Sequence, residues 1–406
     1  MRRATAWIPG LLLVAAVAQA APLPRQEGEG LSPKWQGLLE KLVGINSGTQ
    51  NVEGLEQVRG VLIPEFEALG FVTTTTDLGN GRKLLSFQTP GSKPELLLVG
   101  HLDTVFERTA GSSQGLRRDG DKLMGPGVID MKGGVVLLLD VLESLRDTGL
   151  LGRIKVVLND DEEVGSPHSK EALRQAARGI PFALVFEPGL PDGSIVASQS
   201  GVRWLRLTVK GRGAHAGLEP ERGVNACVEA SHKASRLDAL TSFQRGLTVN
   251  VGTISGGTKP NIVCEEASLM LDIRYRREAD LEATLKRIER IRKEMTVFNP
   301  VLRVSPTATL ETVAELPNLP SERTLQLREL ASQVAASAGQ RIEAKHVGYA
   351  SDGNHLASTG IEVLVGLGPY GGGMHTQDEF LSLQGYASRR GFNRALIQKI
   401  LSNKGE

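Results

Sequence analysis

The stretch IKVVLNDDEEVGS, residues 154–166, combines an apolar run with a run of four carboxylates. The apolar residues 154–158 have the length of a short buried strand, and the carboxylates follow directly at 160–163. Like charges a few ångströms apart raise one another's pKa strongly unless cations lie among them. A solvated acidic turn is the alternative interpretation, and the rest of the chain decides between the two.

Other apolar runs also end in a polar residue. Residues 96–100 lead into His101, and residues 183–186 lead into Glu187. Continuous apolar runs are typical of strands that are buried on both faces of a parallel sheet. Predicted helices follow the polar loops, and in such α/β folds functional sites lie at the carboxyl ends of the strands. The sequence therefore predicts an α/β catalytic domain with a mostly parallel sheet.

The pattern changes near residue 198, where the predicted elements follow the order β-α-β-β-α-β, with a last strand at 301–305. This order is the signature of a ferredoxin-like α+β domain, here inserted into the first domain. The predicted divisions are a signal peptide at 1–20, the catalytic domain at 21–197 and 307–406, and the insert at 198–306.

The amino terminus has the pattern of a secretory signal peptide. A basic start, Met1-Arg2-Arg3, precedes an apolar segment at 7–17, and Ala18-Gln19-Ala20 matches an A-x-A cleavage site. The apolar segment is too short for an ordinary membrane anchor, and no later one reaches the ~20 residues that a membrane helix needs. We therefore expect a secreted or periplasmic protein.

Charge and cysteine content exclude several function classes. The chain has 47 basic and 46 acidic residues, a net charge of +1, which favours neither nucleic acid nor a membrane surface as partner. A small substrate is expected instead. Only Cys227 and Cys264 occur, which excludes a disulfide framework and a zinc site built on clustered thiolates. One disulfide bridge and two buried thiols both remain open.

Imidazole and carboxylate side chains stand at the ends of the predicted strands and in glycine-rich turns, in the numbers that a pair of zinc ions needs. One ion would take His101 and Glu187, the other Glu163 and His375, and Asp130 would bridge them. Asp103, two residues after His101, would orient the imidazole, and Glu162 would remain free as a general base.

Six ordered motifs resemble the M20 family of metallopeptidases and deacylases, with most similarity to glutamate carboxypeptidases of the carboxypeptidase G2 type. The resemblance covers residues 32–401. The motifs are HLDTV at 101–105, GPGVIDMKGG at 125–134, DEEVGS at 161–166, EP at 187–188, GAHAG at 213–217 and MHT at 374–376. Asp130-Met131 departs from the paired acidic residues of that subgroup.

The resemblance implies the same metal ligands and assigns Asp103 and Glu162 to catalysis. It also implies that the insert is a dimerisation (lid) domain, through which a homodimer brings His215 to the partner's site. Asn261 and Arg274 match residues that bind the substrate carboxylate. An ordinary turn histidine remains the alternative for His215, and a salt bridge with Asp272 or Glu278 the alternative for Arg274.

The function expected from these residues is hydrolysis of an amide bond, with Glu162 as general base on a metal-bound water. The product would be a C-terminal amino acid, as released by a glutamate-type carboxypeptidase, from a small peptide. Removal of an acyl group from an N-acyl amino acid is the alternative, and non-catalytic solute binding is a second one. The ions would be two Zn²⁺, although N/O ligands also accept cobalt and other divalent metals.

Overall fold

The structure is a computed structural model, and it describes residues 30–107 and 115–402. The predicted signal peptide lies outside the described residues. Within those ranges, no helix has the length and apolar character needed to cross a membrane. The helices are α1 Pro33–Gly44, α2 Val52–Glu67, α3 Gly133–Ser144, α4 Lys170–Ala176, α5 Ala226–Asp238, α6 Glu278–Lys293, α7 Leu325–Ser337, α8 Asp352–Ala357 and α9 Leu383–Ser402.

The strands form a large sheet in the first domain, a second sheet in the insert and two small sheets. They are β1 Val72–Gly79, β2 Arg82–Gln88, β3 Leu96–His101, β4 Arg117–Asp119, β5 Lys122–Met124, β6 Ile154–Asn159, β7 Phe182–Val185, β8 Ile195–Gln199, β9 Gly201–Lys210, β10 Thr248–Gly256, β11 Glu266–Tyr275, β12 Thr307–Leu316, β13 Ala344–Val347, β14 Glu362–Leu364, β15 Gly371–Gly372 and β16 Phe380–Ser382.

The large sheet has the strand order β1-β2-β6-β3-β7-β14. Strands β6, β3, β7 and β14 run parallel, and β2 and β1 extend the sheet in antiparallel fashion at one edge. The predicted α/β class is therefore confirmed. The carboxyl ends of β3, β6 and β7 lie side by side, which brings the residues that follow these strands to one edge of the sheet.

Helices cover both faces of this sheet. Along β3, Leu96 and Leu98 pack into the cluster that contains residues of α1, α3 and α9. Leu97 and Val99 point to the opposite face and pack with residues of α4 and α8. All six residues of β3 are buried, which explains why residues 96–100 form a continuous apolar run rather than an alternating pattern.

The insert has the ferredoxin-like arrangement that the sequence predicts. Its antiparallel sheet has the order β10-β11-β9-β12, and α5 and α6 pack on one face. Strand β9 precedes α5, and α6 lies between β11 and β12. The helices cover the buried side chains of strands that alternate between core and solvent, as in β11.

The predicted last strand of the insert, at 301–305, is wrong. The Asn299 side chain accepts hydrogen bonds from the backbone N–H groups of Val301 and Leu302 and bends the chain into turns. The fourth strand is β12, so the sheet continues to residue 316, ten residues past the predicted boundary. At the other end, β8 pairs with β13 outside the insert, and the insert's sheet begins at Gly201 rather than at residue 198.

A disulfide joins Cys227 of α5 to Cys264, which precedes β11. The sequence left a bridge and two free thiols open, and the structure has the bridge. The Cys264 carbonyl also accepts a hydrogen bond from the Ala226 N–H at 2.8 Å. The start of α5 is therefore fixed to the segment that leads from Asn261 into the sheet.

Candidate metal centre

The first ligand group gathers three buried residues at the edge of the large sheet. His101 ends β3, Glu187 follows β7, and Asp130 lies in the turn before α3. The His101 Nε2 atom lies 3.2 Å from Asp130 Oδ1 and 3.6 Å from Glu187 Oε1. One ligand atom from each residue lies within 4.8 Å of the others, the arrangement of a metal site.

The second ligand group shares Asp130 with the first. His375 Nε2 lies 3.3 Å from Asp130 Oδ2 and 3.4 Å from Glu163 Oε2. The two oxygens of one carboxylate thus face two different imidazoles, as expected of a ligand that bridges two metals. The five ligands predicted from the sequence come together in these two groups.

Asp103 is fully buried and contacts residues that belong to both ligand groups. Its Oδ1 lies 3.3 Å from His101 Nδ1 and accepts the Glu162 N–H at 3.1 Å. Its Oδ2 accepts the Glu163 N–H at 3.2 Å and the Thr49 hydroxyl at 2.8 Å. A carboxylate in this position fixes the imidazole ring and the backbone that carries the next two acidic side chains.

Glu162 lies at the margin of the first group, with Oε2 3.9 Å from His101 Nε2. Burial, reinforced by the negative charge of Glu187, raises its pKa well above the ordinary carboxyl value. A raised carboxyl pKa suits a group that takes up a proton and returns it near neutral pH. Its neighbour Glu163 faces the second group instead.

The electrostatics of the cluster fit divalent cations. Burial raises the pKa of Glu187 and also that of Glu163, where the His375 hydrogen bond opposes it only in part. Hydrogen bonds to Asp130 and Glu163 raise the pKa of His375 to about 10. No described residue donates a hydrogen bond to the buried Oε1 of Glu163. A buried carboxylate oxygen that receives no hydrogen bond and lies among other carboxylates is stabilised when a cation binds there.

Sequence reasoning did not identify Thr49, Glu379 or Lys132 as part of this site. The Glu379 carboxylate accepts hydrogen bonds from the backbone around Asp130. The buried Lys132 ammonium donates to the Ile45 carbonyl at 2.8 Å. Both Lys132 and Glu379 lie within a few residues of predicted ligands, and that spacing is the signal that could have found them.

The remaining predicted site residues lie in the insert. His215 and Asn261 are exposed and adjacent, since the Ala216 N–H donates to the Asn261 carbonyl at 3.0 Å. His215 Nδ1 accepts the N–H groups of Gly217 and Leu218, both at 3.1 Å, so its Nε2 carries the proton in the neutral ring. These contacts lie within its own loop.

Arg274 makes the ion pair that the sequence left open as an alternative. Its Nε and Nη2 atoms donate to the two carboxylate oxygens of Asp272 at 2.7 and 2.8 Å. The Trp204 indole donates to the same carboxylate at 3.1 Å. The predicted substrate role of Arg274 stays a prediction, and substrate would have to compete with Asp272 for the guanidinium.

The model of peptidase family M20/M25/M40 matches residues 97–399, three quarters of the chain and the region that holds all five predicted ligands. The chain belongs to this family. It is therefore an M20 metallohydrolase, as its motifs indicate. Members of the family are typically dimetal enzymes, which agrees with two ligand groups that share Asp130.

Relatives of this M20 hydrolase include peptidases and deacylases. Carboxypeptidase G2 from Pseudomonas sp. (strain RS-16) is 34% identical over 257 residues, which cover 62% of either chain. The chain thus matches less than two thirds of that enzyme. N-acetyl-L-citrulline deacetylase from Xanthomonas campestris pv. campestris is 26% identical over 77% of this chain and 84% of that protein.

Solved structures share the fold of the M20 hydrolase. A tripeptidase from Staphylococcus aureus superposes with a TM-score of 0.75 at 21% identity, covering 92% of this chain and all of that one. An M20 family metallo-carboxypeptidase from Sulfolobus solfataricus gives 0.71 at 15% identity, covering 91% of this chain and all of that one. At these identities the likeness concerns the fold.

Proposed function

We propose that this M20 hydrolase is an exported di-zinc carboxypeptidase that releases a C-terminal amino acid, with glutamate as the first candidate. The observation that carries the proposal is the Asp130 carboxylate, whose two oxygens face His101 and His375, with Glu162 at the margin of the cluster. This arrangement suits hydrolysis of an amide bond.

His101 and Glu187 would hold one ion, Glu163 and His375 the other, and Asp130 both. The chemistry that two such ions supply is Lewis-acid activation of water and of the scissile carbonyl. Glu162 would accept the proton of the attacking water and return it to the nitrogen of the leaving amine. Asp103 would hold the Glu162 backbone and the His101 ring in place during both transfers.

A second copy of the chain would supply His215 to the site. Because Nδ1 is occupied by two backbone N–H groups, Nε2–H would remain to donate to the carbonyl oxygen as negative charge develops. The exposure of this loop supports a homodimer that forms through the insert. Asn261, adjacent to His215, would bind the substrate carboxylate together with Arg274.

Release of a C-terminal residue is favoured over deacylation by the higher identity to carboxypeptidase G2. Deacylation of N-acyl amino acids is the second candidate, supported by the longer match to the citrulline deacetylase. Export is supported by the signal-like residues 1–20 and by the Cys227–Cys264 bridge, because disulfides persist in oxidising compartments.

The test is an assay of C-terminal dipeptides and N-acyl amino acids, with and without a chelator. We expect metal-dependent release of free amino acid, fastest from substrates with C-terminal glutamate. Faster cleavage of N-acyl amino acids would favour the deacylase. Activity that the chelator leaves unchanged would reject both.

Replacement of Glu162 by Gln should abolish turnover, because the amide cannot accept the proton, while the metal content stays that of the wild type. The matched control is Glu171→Gln, which removes an exposed carboxylate that pairs with Arg174. The control should retain full activity. Wild-type turnover in the Glu162 variant would reject its role as the base.

A further inference from the structure

Glu379 connects the turn that carries Asp130 to the loop that carries His375. It follows His375 by four residues and is 1% exposed. Its Oε1 accepts the Ile129 N–H at 2.9 Å and the Asp130 N–H at 3.1 Å. Its Oε2 accepts the Gly127 N–H at 3.1 Å. One side chain thus satisfies three donors of the turn that carries Asp130.

This turn is a single π-helical turn, Val128–Lys132, in which the Lys132 N–H donates to the Gly127 carbonyl at 3.0 Å. Gly127 has φ +68°, and Asp130 departs from helical geometry with φ −114° and ψ 94°. The N–H groups of Ile129 and Asp130 have the Glu379 carboxylate as their acceptor. A buried N–H group that loses its acceptor carries the full cost of its desolvation. The Glu379 carboxylate therefore stabilises this backbone conformation of the turn.

Glu379 is unsuited to be a further metal ligand. Both of its oxygens are directed at backbone N–H groups, and the two ligand groups are complete without it. The three N–H dipoles stabilise the negative form of this carboxylate. The Glu379 carbonyl also accepts the Gly125 N–H at 3.3 Å, which adds a backbone link between the same two segments.

We infer that Glu379 is a positioning residue that fixes the Asp130 turn against the His375 loop and so sets the geometry in which Asp130 is shared by two ions. The inference rests on the proposed function in one respect, namely that divalent ions bind at these two groups. Replacement of Glu379 should therefore weaken metal binding strongly while it changes the stability of the metal-free protein little.

The test compares Glu379→Gln with Glu362→Gln. Glutamine keeps the shape of the side chain but turns one acceptor into a donor, which must then face a backbone N–H. Glu362 is a matched control because its carboxylate also accepts two backbone N–H groups, those of Gln326 and Leu327 at 2.9 and 3.1 Å, at the start of α7. Metal-free full-length proteins are titrated with Zn²⁺ against a chromophoric chelator.

We expect Glu379→Gln to weaken zinc binding about ten- to a hundredfold, the usual effect of losing a group that orients metal ligands. Glu362→Gln should bind zinc within about twofold of the wild type, and the thermal midpoints of the two metal-free variants should be similar. Glu379→Asp, whose shorter side chain cannot span the turn, should also weaken binding. Excess zinc should restore much of the kcat of Glu379→Gln, since Glu162 is untouched.

Unchanged zinc affinity in both Glu379 variants would overturn the inference. Failure of both to fold without metal, while Glu362→Gln folds, would overturn it as well, because Glu379 would then serve the fold in general. The zinc titration of the wild type tests metal binding independently of the proposed function. A wild type that binds zinc but cleaves none of the assayed amides would contradict the function and leave the affinity comparison valid.

Discussion

At the scale of single residues, Asp130 and Asp103 divide the work of the site. Asp130 offers one oxygen to each ligand group, while Asp103 offers its oxygens to backbone and ring N–H groups and to a hydroxyl. Asp130 would bind the ions, whereas Asp103 fixes the residues that bind them. The difference follows from what surrounds each carboxylate rather than from its chemical type.

Replacement of Asp103 by Asn should lower kcat or zinc affinity about ten- to a hundredfold. The amide has one acceptor where the carboxylate has two, so it cannot satisfy the N–H groups of both Glu162 and Glu163. Steady-state kinetics and a zinc titration of the purified variant check this expectation. The matched control is Asp77→Asn, at an exposed position near the end of β1 where the carboxylate accepts the Gly79 N–H at 2.9 Å. If both variants behave alike, Asp103 has no special role.

The ligands were predictable from sequence because each follows a strand or lies in a glycine-rich turn, where a local pattern indicates a strand end. The role of Glu379 was not predicted, because it depends on N–H groups about 250 positions earlier in the chain. Arg274 shows the converse. The resemblance to the family implied a substrate contact for Arg274, and the structure pairs its guanidinium with the neighbouring Asp272.

At the scale of elements, strongly patterned segments were predictable, whereas a mostly exposed edge strand and the three-residue strands were not. Residues 96–100 of strand β3 form a continuous apolar run because both faces of the strand are buried. Strand β12 begins after two turns and has few buried residues, so its pattern did not stand out from the exposed residues before it. Strands β4, β5 and β16 have three residues each and depend on their pairing with one another.

The short helix α8 provides a pH-dependent test of element stability. Burial lowers the pKa of His355 to about 4, and the positive charges of Arg174 and Lys170 act in the same direction. The unfolded chain takes up a proton near pH 6.5, whereas the folded chain does not until about pH 4. The contribution of neutral His355 is therefore present above pH 6.5 and is lost as the pH falls, by about 3 kcal/mol in total.

We expect His355→Gln to reduce the loss of unfolding free energy between pH 6.5 and pH 4 by that amount. Urea unfolding of the metal-free wild type and variant across this range measures it. The matched control is His232→Gln, which replaces an exposed imidazole by the same amide. Equal slopes in wild type and His355→Gln would contradict the account of α8.

At the scale of the whole molecule, the insert presents His215 on an exposed loop that fixes its ring through the Gly217 and Leu218 N–H groups. If a second copy supplies this residue, a mixture of Glu162→Gln and His215→Ala subunits contains hybrid dimers with one intact site. Such a site combines the wild-type Glu162 of one subunit with the wild-type His215 of the other. Dimers of either variant alone have no intact site.

Remixing equal amounts of the two variants should therefore restore about a quarter of wild-type activity, because half of the dimers are hybrids and each has one intact site. Activity after mild dissociation and reassociation is the measurement, with each variant reassociated alone as control. No recovery in the mixture, when mass measurements show hybrids, would mean that His215 does not act across subunits.

The central claim is that two divalent ions share Asp130. Anomalous scattering from crystals of the zinc-loaded protein, collected on both sides of the zinc absorption edge, tests it most directly. We expect two peaks in each chain, about 3.5–4 Å apart, with the Asp130 carboxylate between them. A single peak, or two peaks that Asp130 does not join, would contradict the account.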